Sequence, residues 1–154
     1  MSWFRVDNRL VHGQIIEAWL PYTGAKHLIV ANDTLAKDGI RQQIISLAIP
    51  QRIGVHFISL QQLPETLFSC SKGTAFVLMA DCQDAAHVFA TGVCMDVLNV
   101  GNLHYGPGKK QVLPHVALSD ADVTDLKYLV AHHVTLDFRC VPSETLRGMQ
   151  DALL

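Results

Sequence analysis

Short apolar, β-branched runs recur along the chain about every 20–25 residues, separated by segments with helical spacing, a βα rhythm rather than a hairpin rhythm. The pattern predicts strands at residues 3–6, 27–31, 54–59, 74–80, 96–100 and 134–141. A short apolar segment at 112–118 predicts one more. The 74–80 run is almost wholly apolar, which suits a central parallel strand covered on both faces. Helices are expected at 14–20, stopped by Pro21, and at 37–49, closed by Pro50, with Ile40, Ile44, Leu47 and Ala48 on one apolar face. A third helix lies in 61–68, with Pro64 near its beginning. A fourth runs through Ala85, Ala86, Val88 and Phe89 to about Gly92. Ser119, with Asp122 three residues on, predicts the start of a fifth that ends near His132. Pro142 and Ser143 introduce a short terminal helix. The expected fold is a single-domain, doubly wound α/β structure. Its sheet is mostly parallel, with helices on both faces and an antiparallel strand near one edge.

Composition narrows the function classes. The chain has 154 residues, enough for one domain with a sizeable core but not for two catalytic domains. Charged residues make up 17% and the net charge is -2 with no block of like sign, which argues against a nucleic-acid partner. No apolar run approaches the ~20 residues of a membrane-spanning helix, and no signal-peptide pattern opens the chain. The cysteines at 70, 82, 94 and 140 form no CxxC pair and read as reduced core thiols of a cytoplasmic protein. The eight histidines form no HxxxH or HExxH spacing, so no metal is expected. Gly106–Lys110 lacks the GxxxxGK[ST] spacing of a nucleotide phosphate loop, no GxGxxG follows the first strand, and no GxSxG is present. No cofactor is expected.

Against this charge-poor background, the segment after the first strand is dense in chemistry. Arg5, Asp7, Arg9 and His12 fall within eight positions, followed by Gly13 and Gln14. Ligands of open α/β sheets bind beyond the carboxyl ends of strands, where the next helix also offers free N–H groups. Neutral imidazole, with an ordinary pKa of about 6.5, is a good nucleophile near neutrality. Arginine grips phosphate oxygens through a fixed fork of donors. Gly13 lets the backbone approach an oxyanion, and the N–H groups around Val11–Gln14 supply further donors. The same residues also suit a structural role, with Arg5 and Arg9 paired to Asp7 and Glu17 and His12 capping the loop. The Gly-rich stretch at 101–110 reads as a functional loop or hairpin, with Asn102, His104 and Lys109 as ligand contacts or a simple turn.

Residues 5–14, RVDNRLVHGQ, closely resemble the signature of the IIB component of the mannose/fructose/sorbose family of the bacterial sugar phosphotransferase system. Trp19 fits too. So do IVAND at 29–33, LNVGNLHY at 98–105, GKKQ at 108–111, and Asp122, Val123, Leu126 and Lys127. The resemblance covers nearly the whole chain, 1–154, as one such domain. It implies the doubly wound fold and a phosphoryl relay that needs neither nucleotide nor metal. His12, through Nδ1, would accept a phosphoryl group from a IIA histidine and pass it to a sugar held by membrane partners IIC and IID. The protein would then work in the cytoplasm, attached to the membrane's inner face through those partners.

In that picture Arg9 and Arg5 offset charge on the phosphoryl oxygens, and Asp7 orients an arginine or shapes the loop rather than acting as a base. Asn102, Leu103, His104, Tyr105 and Lys109 contact the partner or the sugar. Leu10, Val11, Leu103 and Tyr105 would give an apolar rim around an exposed His12. Asn8 stands where the family commonly has Asp, and Gly101-Asn102 resembles the hexosamine-type branch. The apolar content is compatible with a homodimer. The competing class is a phosphate- or sugar-phosphate-binding regulator that keeps the loop without transferring the group.

Overall fold

The computed structural model describes residues 1–145. Six parallel strands form the main sheet in the order β3-β2-β4-β1-β5-β8. They are β1 (Ser2–Asp7), β2 (His27–Ala31), β3 (Gly54–Ile58), β4 (Ala75–Met79), β5 (Val97–Asn102) and β8 (Thr135–Asp137). Strand β4 is buried along its whole length, as its apolar run predicts. The antiparallel element expected near one edge is present as a small sheet of its own. It is a separate hairpin, β6 (Lys110–Leu113) with β7 (Val116–Leu118), joined to the end of β5 by a bridge between Leu103 and Val116. The single strand expected at 112–118 is thus a turn flanked by parts of two strands.

Helices cover both faces. A π-helical segment, Ile15–Trp19, leads into α1 (Leu20–Thr23), and these pack with α2 (Gly39–Ala48) on one face. Helices α3 (Leu63–Ser69), α4 (Cys82–Ala90) and α5 (Asp120–Ala131) pack on the other. The connection leaving β1 therefore goes to one face, while those leaving its neighbours β4 and β5 go to the opposite face. That arrangement opens a crevice at the carboxyl end of β1, where ligands of such sheets bind.

Several boundaries differ from the sequence expectation for identifiable reasons. Pro21 does not stop its helix. It sits in the first turn of α1, where the wide π register gives way to the α register and a missing N–H costs little. The helix ends instead at Gly24, whose φ of 64° is the left-handed conformation glycine adopts freely. Gly101 and Asn102 belong to β5 rather than to the following loop. The last strand is short, because residues beyond Asp137 turn away toward Trp19. The apolar stripe of α2 faces solvent: Ile40, Ile44 and Leu47 are all exposed. Only Cys70 and Cys82 are core thiols, since Cys94 is exposed and Cys140 half-buried. The expected terminal helix lies outside the described residues. No helix of the described residues is long and apolar enough to cross a membrane.

The fifth helix begins where the sequence places it. Ser119 Oγ accepts from the Asp122 N–H at 3.0 Å, and the Asp122 carboxylate accepts from the Ser119 N–H at 2.9 Å. Ser119→Ala removes half of this reciprocal cap and is expected to cost about 1 kcal/mol. A urea titration reads this as a lower midpoint with an unchanged slope; an unchanged midpoint contradicts it.

Candidate functional site

Arg5 and Asp7 stand two residues apart on β1 and so share a face of the sheet. Elsewhere on that face the strands supply Leu28, Val30, Phe76 and Leu78. Beside β1 the surface turns polar yet stays covered: Arg5 and Asp7 have no exposed surface, and Asn99 and Asn102 have almost none. Trp19 covers the group, with the Arg5 guanidinium carbon 5.1 Å and the Arg139 guanidinium carbon 5.5 Å from its ring centre. The Trp19 Nε1–H donates to the Cys140 carbonyl at 2.9 Å. A Cβ on Gly101 would overlap the Arg5 guanidinium, so β5 must be bare there for the arginine to lie across it.

One carboxylate oxygen gathers the site. Asp7 Oδ2 accepts from Arg5 Nε at 3.2 Å and Nη2 at 3.0 Å, and from Asn102 Nδ2 at 2.9 Å. It also bonds His12 Nε2 at 2.7 Å. Asp7 Oδ1 accepts from the Arg9 backbone N–H at 2.9 Å. Arg5 Nη1 donates to Asn99 Oδ1, and Asn99 Nδ2 donates to the carbonyls of Asp137 and Arg139, both at 3.0 Å. Burial raises the Asp7 carboxyl, but the bonds from His12 and Asn102, the charge of Arg5 and the Arg9 N–H outweigh it and hold the group at about 2. Burial also pulls Arg5 below its ordinary value despite Asp7. The pair thus gives up solvation that its attraction only partly repays, as expected of an ion pair kept for geometry.

The loop is wound around that carboxylate. The Asp7 carbonyl accepts from the Leu10 N–H at 2.9 Å, closing a tight turn that puts Leu10 at φ 54°. Asn8 fastens the turn to two neighbours: its Nδ2 donates to the Ala80 carbonyl at 2.8 Å, and its Oδ1 accepts from the His104 N–H at 2.7 Å. The chain then enters the helical segment, whose first-turn N–H groups at Gly13 and Gln14 have no intrahelical acceptor. Gly13 is exposed, with open space where its Cβ would be. Because Asp7 can only accept, His12 must donate through Nε2, which leaves the Nδ1 lone pair free. The His12 side chain is 11% exposed.

The expected site residues thus separate. Arg9 is exposed and reaches Gln14 Oε1 at 3.3 Å; Val11 is half-buried, and His104 and Tyr105 are exposed. Asn102 links Asp7 to Gln14. Arg5 lies beneath the site, its donors turned to Asp7, Asn99 and the Arg139 carbonyl, out of reach of a ligand at the surface. Leu10 and Leu103 are core residues and give no exposed apolar rim; Leu103 pairs with Val116. The Lys109 ammonium lies 3.8 Å from buried Asp122. Arg139 and Cys140 join the network without having been singled out by sequence; Asn99, read there only within the LNVGNLHY resemblance and given no role, also interrupts the apolar run 96–100.

Comparison with known proteins settles the family. The family model for the PTS system sorbose subfamily IIB component matches residues 1–154. The chain belongs to that family. It is 30% identical over 149 residues to the N-acetylgalactosamine-specific phosphotransferase enzyme IIB component 1 of Escherichia coli K12, covering 96% of this chain and 94% of the relative. It is also 30% identical over 151 residues to the sorbose-specific EIIB component of Klebsiella pneumoniae, covering 97% and 92%. The crystal structure of the Klebsiella IIBSor domain superimposes with a TM-score of 0.89 at 29% identity, covering 97% of this chain and 93% of that one. Membership makes this IIB protein a phosphoryl-carrying transferase of the sugar phosphotransferase system.

The network sets a pH dependence. The Asp7 carboxyl lies at about 2, below the ordinary 3.8, so the folded state binds its proton less readily than the unfolded state. Its contribution of about 2–3 kcal/mol is complete above about pH 4 and is lost as pH falls toward 2. Asp7→Asn removes this acid slope and, by leaving Arg5 buried without its partner charge, costs about 3–5 kcal/mol at pH 7. Urea midpoints across pH 2–7 measure both; parallel curves for the two proteins contradict the assignment. Gly101→Ala displaces Arg5 and is expected to cost about 1–3 kcal/mol in the same titration.

Proposed function

We propose that this IIB protein carries the phosphoryl group on His12 Nδ1, receiving it from a IIA phosphohistidine and giving it to a sugar held by IIC and IID. The observation that carries this reading is the bond of His12 Nε2 to Asp7, which presents the opposite ring nitrogen as the nucleophile. In the first transfer the Nδ1 lone pair attacks phosphorus, the donor's N–P bond breaks, and its electron pair returns to the donor imidazole. In the second, a sugar hydroxyl oxygen attacks, the Nδ1–P bond breaks, and the hydroxyl proton passes to a base outside His12 and Asp7. A carboxyl held near 2 stays ionised at neutral pH and is a poor base for that proton. Its role is to orient the ring and to offset the positive charge that the ring gains when Nδ1 bonds phosphorus, as the aspartate of a catalytic triad does.

The remaining residues divide between contact and support. Arg9, held at the surface near Gln14, meets the phosphoryl oxygens. The N–H groups at Val11, Gly13 and Gln14 add donors at the positive end of the helical segment. Arg5 acts only through Asp7. His104 and Tyr105, on the loop tied to Asn8, meet the partner proteins, as do Asn102 through its edge of the site and Lys109 on the hairpin side. Partner encounters in such a relay are brief, which a small interface suits.

Incubation with phosphoenolpyruvate, the general donors and IIA is expected to add one phosphoryl mass to the wild type and none to His12→Ala. Full incorporation by His12→Ala would sink the assignment. A phosphorylated protein that never discharges to membranes containing IIC, IID and sugar would favour the non-transferring regulator instead. Asp7→Asn should accept phosphate at least tenfold more slowly, about 1.4 kcal/mol of barrier.

A further inference from the structure

Three ligand-type side chains converge at the amino-terminal edge of the sheet, opposite the His12 loop. His27 opens β2, and His56 lies within β3. The parallel register sets His27 against Gly54 and Ile29 against His56, so both rings stand on one face of the sheet. Cys70, at the end of α3, approaches from that face. His27 Nδ1 lies 3.3 Å from His56 Nε2, and Cys70 Sγ lies 3.5 Å from the same Nε2. The three atoms all fall within 4.8 Å of one another.

The separations of His27 Nδ1 and Cys70 Sγ from His56 Nε2 match those around a tetrahedral ion. Zinc bonds of about 2.0–2.1 Å to nitrogen and about 2.3 Å to sulfur place two nitrogens ~3.3 Å apart and a nitrogen and sulfur ~3.6 Å apart. Taken instead as hydrogen bonds, an N–N contact of 3.3 Å is longer than good geometry and the thiol is a weak donor. Gly54 keeps the space open, since a Cβ there would lie 3.1 Å from His27 Nδ1 and 3.7 Å from His56 Nε2. Both histidines are half-buried, which leaves solvent access for an ion, while Cys70 is buried.

We propose that His27 Nδ1, His56 Nε2 and Cys70 Sγ bind one zinc ion, with water as the fourth ligand. One thiolate with two imidazoles selects a borderline transition ion over magnesium or calcium. On binding, the Cys70 S–H bond breaks, the sulfur pair forms the Zn–S bond, and the proton leaves to solvent; nothing is oxidised or reduced. The ion would staple edge strand β3, which is only half-buried along its length, to β2 and α3. The site shares no residue with the His12 network, so phosphoryl transfer is not its readout.

The test uses the reduced, full-length chain stripped by a chelator and dialysed. Titration calorimetry with zinc chloride is expected to give one ion per chain and a raised melting temperature. Cobalt is expected to give the near-ultraviolet absorption of a thiolate–cobalt bond. Cys70→Ser should lose that band and His56→Gln should lose stoichiometric zinc binding, while Cys94→Ser keeps both. Circular dichroism checks the fold; should Cys70→Ser unfold, His27→Gln at the half-exposed ring carries the comparison. The proposal is overturned by absence of stoichiometric zinc in the wild type, or by binding that persists unchanged in the His27, His56 and Cys70 variants.

Discussion

A buried carboxylate that accepts from an arginine, an asparagine and a histidine at a single oxygen sets the geometry of everything around it. Asp7 Oδ2, with no exposed surface, holds His12 at 2.7 Å beside the compensating charge of Arg5. Arg5 can lie there because β5 offers Gly101 where a side chain would collide, and Asn99 where an apolar residue would leave Nη1 only the Arg139 carbonyl at 3.4 Å. Trp19 closes the polar group off from solvent and is itself held by Cys140. The requirement therefore passes from one oxygen to three strands, the first helical segment and the chain after β8. The fold contributes by bringing β1 and β5 together in parallel, so that residues more than ninety positions apart meet.

Much of this architecture is legible in sequence where one local rule dominates. The strand at 27–31 is found with its exact bounds because its run is apolar on both faces and is followed by Asn-Asp. The density of charge at 5–12 marks the loop because the rest of the chain is sparing with charge. Reading fails where the partner is distant. Arginine is among the residues least often buried, and nothing local tells that Arg5 faces Asn99 across the sheet. Leu10 adopts a left-handed turn for which glycine or asparagine is the usual signal. The stripe on α2 shows the reverse case: periodicity reveals that Ile40, Ile44 and Leu47 share a face, not what that face meets. The grouping of His27, His56 and Cys70 is invisible for the same reason, since each belongs to a different element.

A phosphoryl carrier built on this network faces an electrostatic conflict. A carboxylate that orients the imidazole also repels the doubly charged group the imidazole is to carry. On the proposed chemistry the conflict is met in two ways. The imidazole ring separates the charges, with Asp7 at Nε2 and the phosphoryl group at Nδ1. Arg5 neutralises Asp7 from beneath, so the buried pair has no net charge, and the positive groups that remain, Arg9 and the helical N–H groups, face the phosphoryl side. A lone buried aspartate would lack that neutralisation and would oppose the transfer. On the proposed chemistry, Arg5 serves from beneath, its charge spent on the carboxylate that holds the histidine rather than on the phosphoryl group itself.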